Sequence, residues 1–294
     1  MPMRLATFVA AAVLIGAPNL LATSPAARVV STDACVLGPH ARCEGRDLRR
    51  AKMNMTILDH ADFRRADLRR AYMFRAILPH ADLRGADLRG ADMHHAILGH
   101  SNLRGADLRR ANMSHVVLHH ARLDNADLRG VSLYKADAHN SELRRAKLSG
   151  ANLSWSNFLT ATMPGIDLSG SNLTGVDLTG ADLTGANLEG ATLTGATLIG
   201  TNLAGANLRG TDFSQANLYT ANLAGANLTG AVADWANLTR ANLRGSKLDQ
   251  AKLTNTILVA ADLTGATLAS AVAVGAVWNR AACPDGKVAA SDGC

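Results

Sequence analysis

From Ala41 to Gly275 the sequence repeats every five residues without insertion or deletion. A clean stretch is Ala181-Asp182-Leu183-Thr184-Gly185, followed by Ala186-Asn187-Leu188-Glu189-Gly190. The 47 pentads have central residues running from Cys43 to Ala273, and all but Cys43, Ala138, Ala233 and Ala273 are Leu, Met or Phe. An α-helix cannot use this spacing. At ~100° per residue, successive central residues fall ~140° apart and smear around the cylinder. A plain strand fails as well, because a step of five reverses the facing of every second Leu. The pattern works if each pentad holds a short extended piece and a bend. Ala and Leu then face the same way, and the tolerant fifth residue makes the turn.

A second period, of twenty, overlies the first. Met53, Met73, Met93 and Met113 recur at that spacing, as do Ile57, Ile77, Ile97 and Val117. So do His60, His80, His100 and His120, and the series Arg49, Arg69, Arg89, Arg109 and Arg129. Four pentads therefore make one coil, and parallel stacking sets equivalent residues ~4.8 Å apart along the axis. Only 4% of residues are aromatic, which argues against an ordinary globule, while 48% are apolar, too many for a disordered low-complexity segment.

These residues resemble the pentapeptide-repeat family, whose consensus is A(D/N)LXX, over about four-fifths of the chain. The resemblance implies an all-β fold, a right-handed quadrilateral parallel β-helix of about twelve coils, with the central Leu and preceding Ala filling the interior. Such a rod would be roughly 55 Å long. Each buried Leu is expected to contribute ~1.5–3 kcal/mol. The Asp or Asn before each Leu points outward, where it can bond turn N–H groups. Ala138 and Ala233 each leave a Leu-sized deficit, to be read as a hinge or as a place where neighbours repack.

The ends differ from the array. Residues 1–26 read as a signal peptide: Arg4 supplies the positive start, Leu5 to Ala17 is apolar, and small residues follow up to Ala26. An apolar stretch of about 13 residues is short for a membrane span, which needs ~20, so an uncleaved anchor is the weaker alternative. Residues 27–40 are expected to cap the first coil, 41–275 to form the β-helix, and 276–294 to form a cysteine-stapled lid. Cys35 and Cys43 flank the start of the array, and Cys283 and Cys294 lie beyond its end. In an oxidising compartment each pair would close a short loop; reduced cysteines or a zinc site are the alternatives. A secreted or periplasmic, envelope-associated protein follows from these features.

Charge is unevenly spread. Residues 41–150 carry 21 Lys and Arg against 13 Asp and Glu, a net of +8, and residues 151–275 carry 5 against 8, a net of −3. Two arginine series stand out: Arg49, Arg69, Arg89, Arg109 and Arg129 on one face, and Arg64, Arg84, Arg104 and Arg144 on an adjacent one. Such ladders suit a linear polyanion bound with salt-sensitive, sequence-independent affinity. Asp47, Asp67, Asp87, Asp107 and Asp127 precede the first series by two residues and could simply neutralise the surface. His60, His80, His100 and His120 form a corner ladder that could share Zn, Cu or Ni between adjacent rings, although a repeated turn residue inherited by coil duplication is simpler. Trp155 and Trp235 sit at outward corners and could stack on sugar rings, though a surface patch needs no such role.

No cofactor or small-molecule substrate is expected, and no enzyme. A uniform rod offers no cleft-forming loop, and Asp and Asn recur in every coil, so none stands out as catalytic. The expected function is that of a structural or macromolecule-binding surface. The partner is an unidentified macromolecule, with an anionic envelope polymer among the options, and monomer and dimer remain open. Some members of the family protect DNA gyrase by imitating duplex DNA. That reading is disfavoured by the basic first half and by the export signal.

Overall fold

Where an Asp or Asn side chain caps the turn, all five backbone N–H groups of a pentad find partners, and their pattern builds the coil. In the pentad 66–70, Ala66 N–H bonds the Phe63 carbonyl across the turn at 3.0 Å. Asp67 N–H reaches back one coil to the Arg46 carbonyl at 2.9 Å, while Leu68 and Arg70 reach forward to the carbonyls of Asp87 and Arg89 at 2.8 and 3.0 Å. The fourth N–H, of Arg69, bonds Asp67 Oδ1 at 3.2 Å. That last bond explains the Asp or Asn of the consensus: its side chain satisfies the one N–H that no carbonyl meets. Where Tyr72 replaces it, Asn54 Oδ1 of the preceding coil accepts from Phe74 N–H instead, at 2.9 Å.

The computed structural model describes residues 30–32, 35–289 and 293–294, so the expected signal peptide at 1–26 lies outside the described residues. Parallel bridges join each second-position residue to the one twenty later, from Arg42↔Asp62 to Asp262↔Ala282. The chain is thus a quadrilateral parallel β-helix of four pentads per coil, wound right-handed as parallel crossovers are. Its first face begins with pentad 41–45, its second with 46–50, its third with 51–55 and its fourth with 56–60. Fifth-position residues turn each corner in the left-handed conformation, with φ between 52° and 72° from His40 to Gly275, whether or not the residue is Gly.

The interior consists of columns of central side chains flanked by small first-position residues, nearly all fully buried. Where Ser or Thr takes a first position, Thr56 excepted, its hydroxyl bonds a core carbonyl, as Ser101 Oγ does to Leu98 at 2.6 Å and Thr201 Oγ1 to Leu178 at 2.8 Å. The deficits at Ala138 and Ala233 remain in the core. Each adjoins a buried Phe one coil away in its own column: Ala138 precedes Phe158, and Ala233 follows Phe213. The third buried Phe, Phe63, follows the small Cys43 in the same way.

At the N-terminal end β1 (Val30–Thr32) pairs antiparallel with β2 (Cys35–Leu37). A disulfide joins Cys35 to Cys43, Cα to Cα 5.5 Å, and so ties this hairpin to the first core column. At the other end Cys283 is bonded to Cys294, Cα to Cα 5.3 Å. The expected boundary after residue 275 is no break in the coil, because Val277 still bridges Ile257 and Ala282 still bridges Asp262. Trp278 and Cys283 occupy the central positions there, both largely buried, and their departure from Leu hides the rhythm in the sequence. An antiparallel bridge, Ala282↔Val288, then closes the end. Among the described residues no helix is long and apolar enough to cross a membrane.

Candidate functional site

The two arginine series lie at fourth positions of the second and first faces, next to the second-position carboxylates that cap the turn. On the second face Arg49 Nη2 meets Asp47 Oδ2 at 2.5 Å, and its Nε lies 3.6 Å from Asp67 of the next coil. Arg69, Arg89 and Arg109 repeat this double contact, at 3.5–3.6 Å across the coil, and Arg129 closes on Asp127 at 2.6 Å. The result is an alternating carboxylate–guanidinium ladder along the rod. Through that hydrogen bond Arg49 holds the Asp47 carboxyl down to about 2. Asp67, Asp107 and Asp127 are lowered for the same first reason, the side-chain bond from the arginine two residues on.

On the first face Arg64 contacts Asp62 at 2.6 Å and Glu44 at 2.9 Å, and Arg84 contacts Asp82 at 2.6 Å. Arg104 reaches Asp124 at 2.9 Å, and Arg144 reaches Glu142 at 2.9 Å. All nine arginines expected to bind a polyanion are therefore ion-paired. Pairing fixes where each guanidinium points and cancels much of its charge.

A different set of arginines stands free of acids, and the sequence reading passed over it. Arg50, Arg70 and Arg110 occupy the corner between the second and third faces. No carboxylate lies within 4 Å of any of them among the described residues. Their stems lean over the next coil: a Cβ added to Gly90 would sit 3.7 Å from Arg70 Cγ, and one at Gly130 would sit 3.8 Å from Arg110 Cγ. Together with the paired column they line a shallow groove running along the axis from Arg49 to Arg129. The signal for them was the same period of twenty, interrupted where Gly90 and Gly130 take the corner.

The histidines assemble into two groups. His60, His80, His100 and His120 stack with centroids 4.8, 5.1 and 4.9 Å apart, and His40 extends the column at 5.3 Å from His60. His119 and His139 stack on each other at 5.4 Å and meet this column edge-on. On the corner between the third and fourth faces His95 stacks on His115 at 4.7 Å, and beside it His94 stacks on Phe74 at 4.3 Å. Burial, and then repulsion from neighbouring imidazoles, lowers the pKa of His95, His100 and His119. Nitrogen lone pairs lie in the ring plane, so face-to-face rings aim them side by side rather than at a shared ion. Among the described residues no three His, Cys, Asp or Glu side chains converge on a point that could hold a metal.

Comparison with known proteins places this geometry. A family model described as pentapeptide repeats matches in overlapping stretches from residue 41 to residue 272, among them 41–78, 151–190 and 236–272. The chain is similar to HetL, a pentapeptide-repeat protein involved in heterocyst differentiation regulation in the cyanobacterium Nostoc sp. strain PCC 7120. That match has 34% identity over 71% of this chain and 92% of HetL, with a TM-score of 0.35. A thylakoid-lumen pentapeptide-repeat protein of Arabidopsis thaliana is 27% identical over 38% of this chain and 61% of its own, TM-score 0.16. QnrB1, a plasmid-mediated fluoroquinolone resistance protein, is 18% identical over 57% of this chain and 81% of its own, TM-score 0.40. No curated protein matches the sequence.

Proposed function

The chain belongs to the pentapeptide-repeat family, and on that premise we propose that it is an exported, non-enzymatic rod whose arginine groove holds a linear polyanion along the axis, such as an anionic polymer of the cell envelope. The observation that carries this reading is the placement of Arg50, Arg70 and Arg110. Each sits in a left-handed corner, with φ of 55°, 55° and 57°. An L-residue there costs about 1–2 kcal/mol that Gly avoids. The fold gains no ion pair in return, and three guanidiniums are left in a row to meet an outside charge.

Export is supported by the two disulfides, which persist in oxidising compartments. The non-enzymatic reading is supported by the unbroken coil: from residue 41 to 285 no loop leaves the rod to wall off a cleft. A gyrase-directed DNA mimic would need an acidic surface, and residues 41–150 carry a net +8.

The test is titration of the full chain with random-sequence duplex DNA as a generic polyanion, across a salt series. Binding should weaken as salt rises, and the triple variant R50G/R70G/R110G should flatten the log–log slope by about 2.7, or ~0.9 per lost contact. Absence of binding at low salt, or an unchanged slope in the variant, sinks the proposal.

A further inference from the structure

The three tryptophans of the chain have different fates. Trp278 is buried at the C-terminal end, whereas Trp155 and Trp235 are 59% and 64% exposed. Both exposed indoles hold fifth positions of third-face pentads, on one corner and four coils apart, which is ~19 Å along the rod at ~4.8 Å per coil. Their backbones are left-handed, with φ of 60° and 63°. A bulky residue is out of place there, and all ten corners from Gly165 to Gly210 use Gly. Neither indole is needed for the turn, and neither is buried for packing. Other bulky residues hold such corners too, but an exposed indole that serves neither the turn nor the core is left free for a binding role.

The corner between them is open. Gly175, Gly195 and Gln215 take the intervening fifth positions. Trp155 lies over Gly175, where a Cβ would come within 2.6 Å of the ring, so one indole face is seated on backbone and the other is left to solvent. A Cβ added at Gly195 would meet nothing within 4 Å. Along one side of this floor run the hydroxyls of Thr174, Thr194 and Ser214, followed by the Asp234 carboxylate.

Two solvent-facing indoles in line, an open floor and a hydroxyl border match a chain of linked sugar rings. The C–H face of a pyranose packs on an aromatic plane, and its hydroxyls exchange hydrogen bonds with Thr, Ser and Asp. Charge selects among such chains, because residues 151–275 carry 8 acidic groups against 5 basic ones and repel a polyanion. We propose that the corner from Trp155 to Trp235 binds a neutral, extended polysaccharide strand lying along the rod, with each indole stacked on a separate sugar ring.

Titration of the full chain with β-1,4-linked oligosaccharides of glucose and of N-acetylglucosamine, followed by tryptophan fluorescence, tests this. A hexasaccharide long enough to touch both rings should give a saturable change and bind roughly tenfold or more tighter than a disaccharide, which reaches one ring. W155A and W235A should each abolish that advantage while leaving the melting temperature within the range of surface substitutions. No saturable response to any oligosaccharide, or unchanged hexasaccharide affinity in W155A/W235A, overturns the proposal. Preference for oligothymidylate would overturn it too, by assigning the row to single-stranded nucleic acid. Duplex DNA binding by the arginine groove should be the same in both tryptophan variants, so the two sites fail or stand separately.

Discussion

Phe158 follows Ala138 by one coil in the same inward column, with the Ala138 N–H bonded to the Asn157 carbonyl at 2.7 Å and both side chains buried. The larger ring stands beside the space that the missing leucine leaves, and close packing favours its filling that space over a hinge. A138L should therefore overpack the column and cost about 1–3 kcal/mol, whereas A138L/F158L should recover most of that loss. Chemical denaturation of the single and double variants measures it. Strictly additive effects would mean that the two side chains do not share space.

Leu183 is fully buried and its neighbour Thr184 is exposed. L183R places an unpaired charge inside the rod and should cost several kcal/mol, by the ~3–5 kcal/mol scale of a buried uncompensated ion. T184R should change stability by less than about 0.5 kcal/mol. Equal melting temperatures would reverse the facing assigned to every pentad.

Arg110 lies between Gly90 and Gly130 on its corner. R110G removes a left-handed side chain worth about 1–2 kcal/mol of unfavourable backbone energy and gives back ~0.4–1 kcal/mol of unfolded-chain entropy. The variant should be as stable as the parent or slightly more stable, while its affinity for duplex DNA falls. A clear drop in melting temperature would show that Arg110 is there for the fold.

His95, His100 and His119 have pKa values below the ordinary 6.5, chiefly because burial disfavours the charged ring. Below pH 6.5 the unfolded chain takes up protons on these groups before the folded one does. The stability they contribute is whole above that pH and is lost as pH falls through their lowered folded values. Melting temperature measured from pH 7.5 to 5 should fall, and H100N/H119N should flatten the curve. A parent profile no steeper than the variant's would refute the lowered pKa values of these rings.

The period of five and the period of twenty carried almost all of the fold, because a solenoid core admits few side chains at its central positions. The same regularity hid the exceptions. Cys43, Ala138 and Ala233 read as isolated defects until each was set beside the residue twenty away, where Phe63, Phe158 and Phe213 stand. At the C-terminal end Trp278 and Cys283 broke the leucine pattern while keeping its positions, so the coil outran its apparent boundary. The candidate site was less legible. The arginine ladder was visible as a periodic series, but whether it was free or neutralised depended on side-chain reach. The unpaired Arg50, Arg70 and Arg110 were masked by glycines that share their corner.

The disulfides also bear on how such a rod answers to force. Its inter-coil hydrogen bonds run along the axis, so tension on the termini loads them end-on and peels the chain one lap of twenty residues at a time. A pull on the N-terminal side is transmitted through the Cys35–Cys43 bond straight to a core column, and one on the C-terminal side meets the Cys283–Cys294 bond. The end segments are thereby held to the rod under load, and it is the outermost laps, joined to their neighbours by hydrogen bonds alone, that peel first.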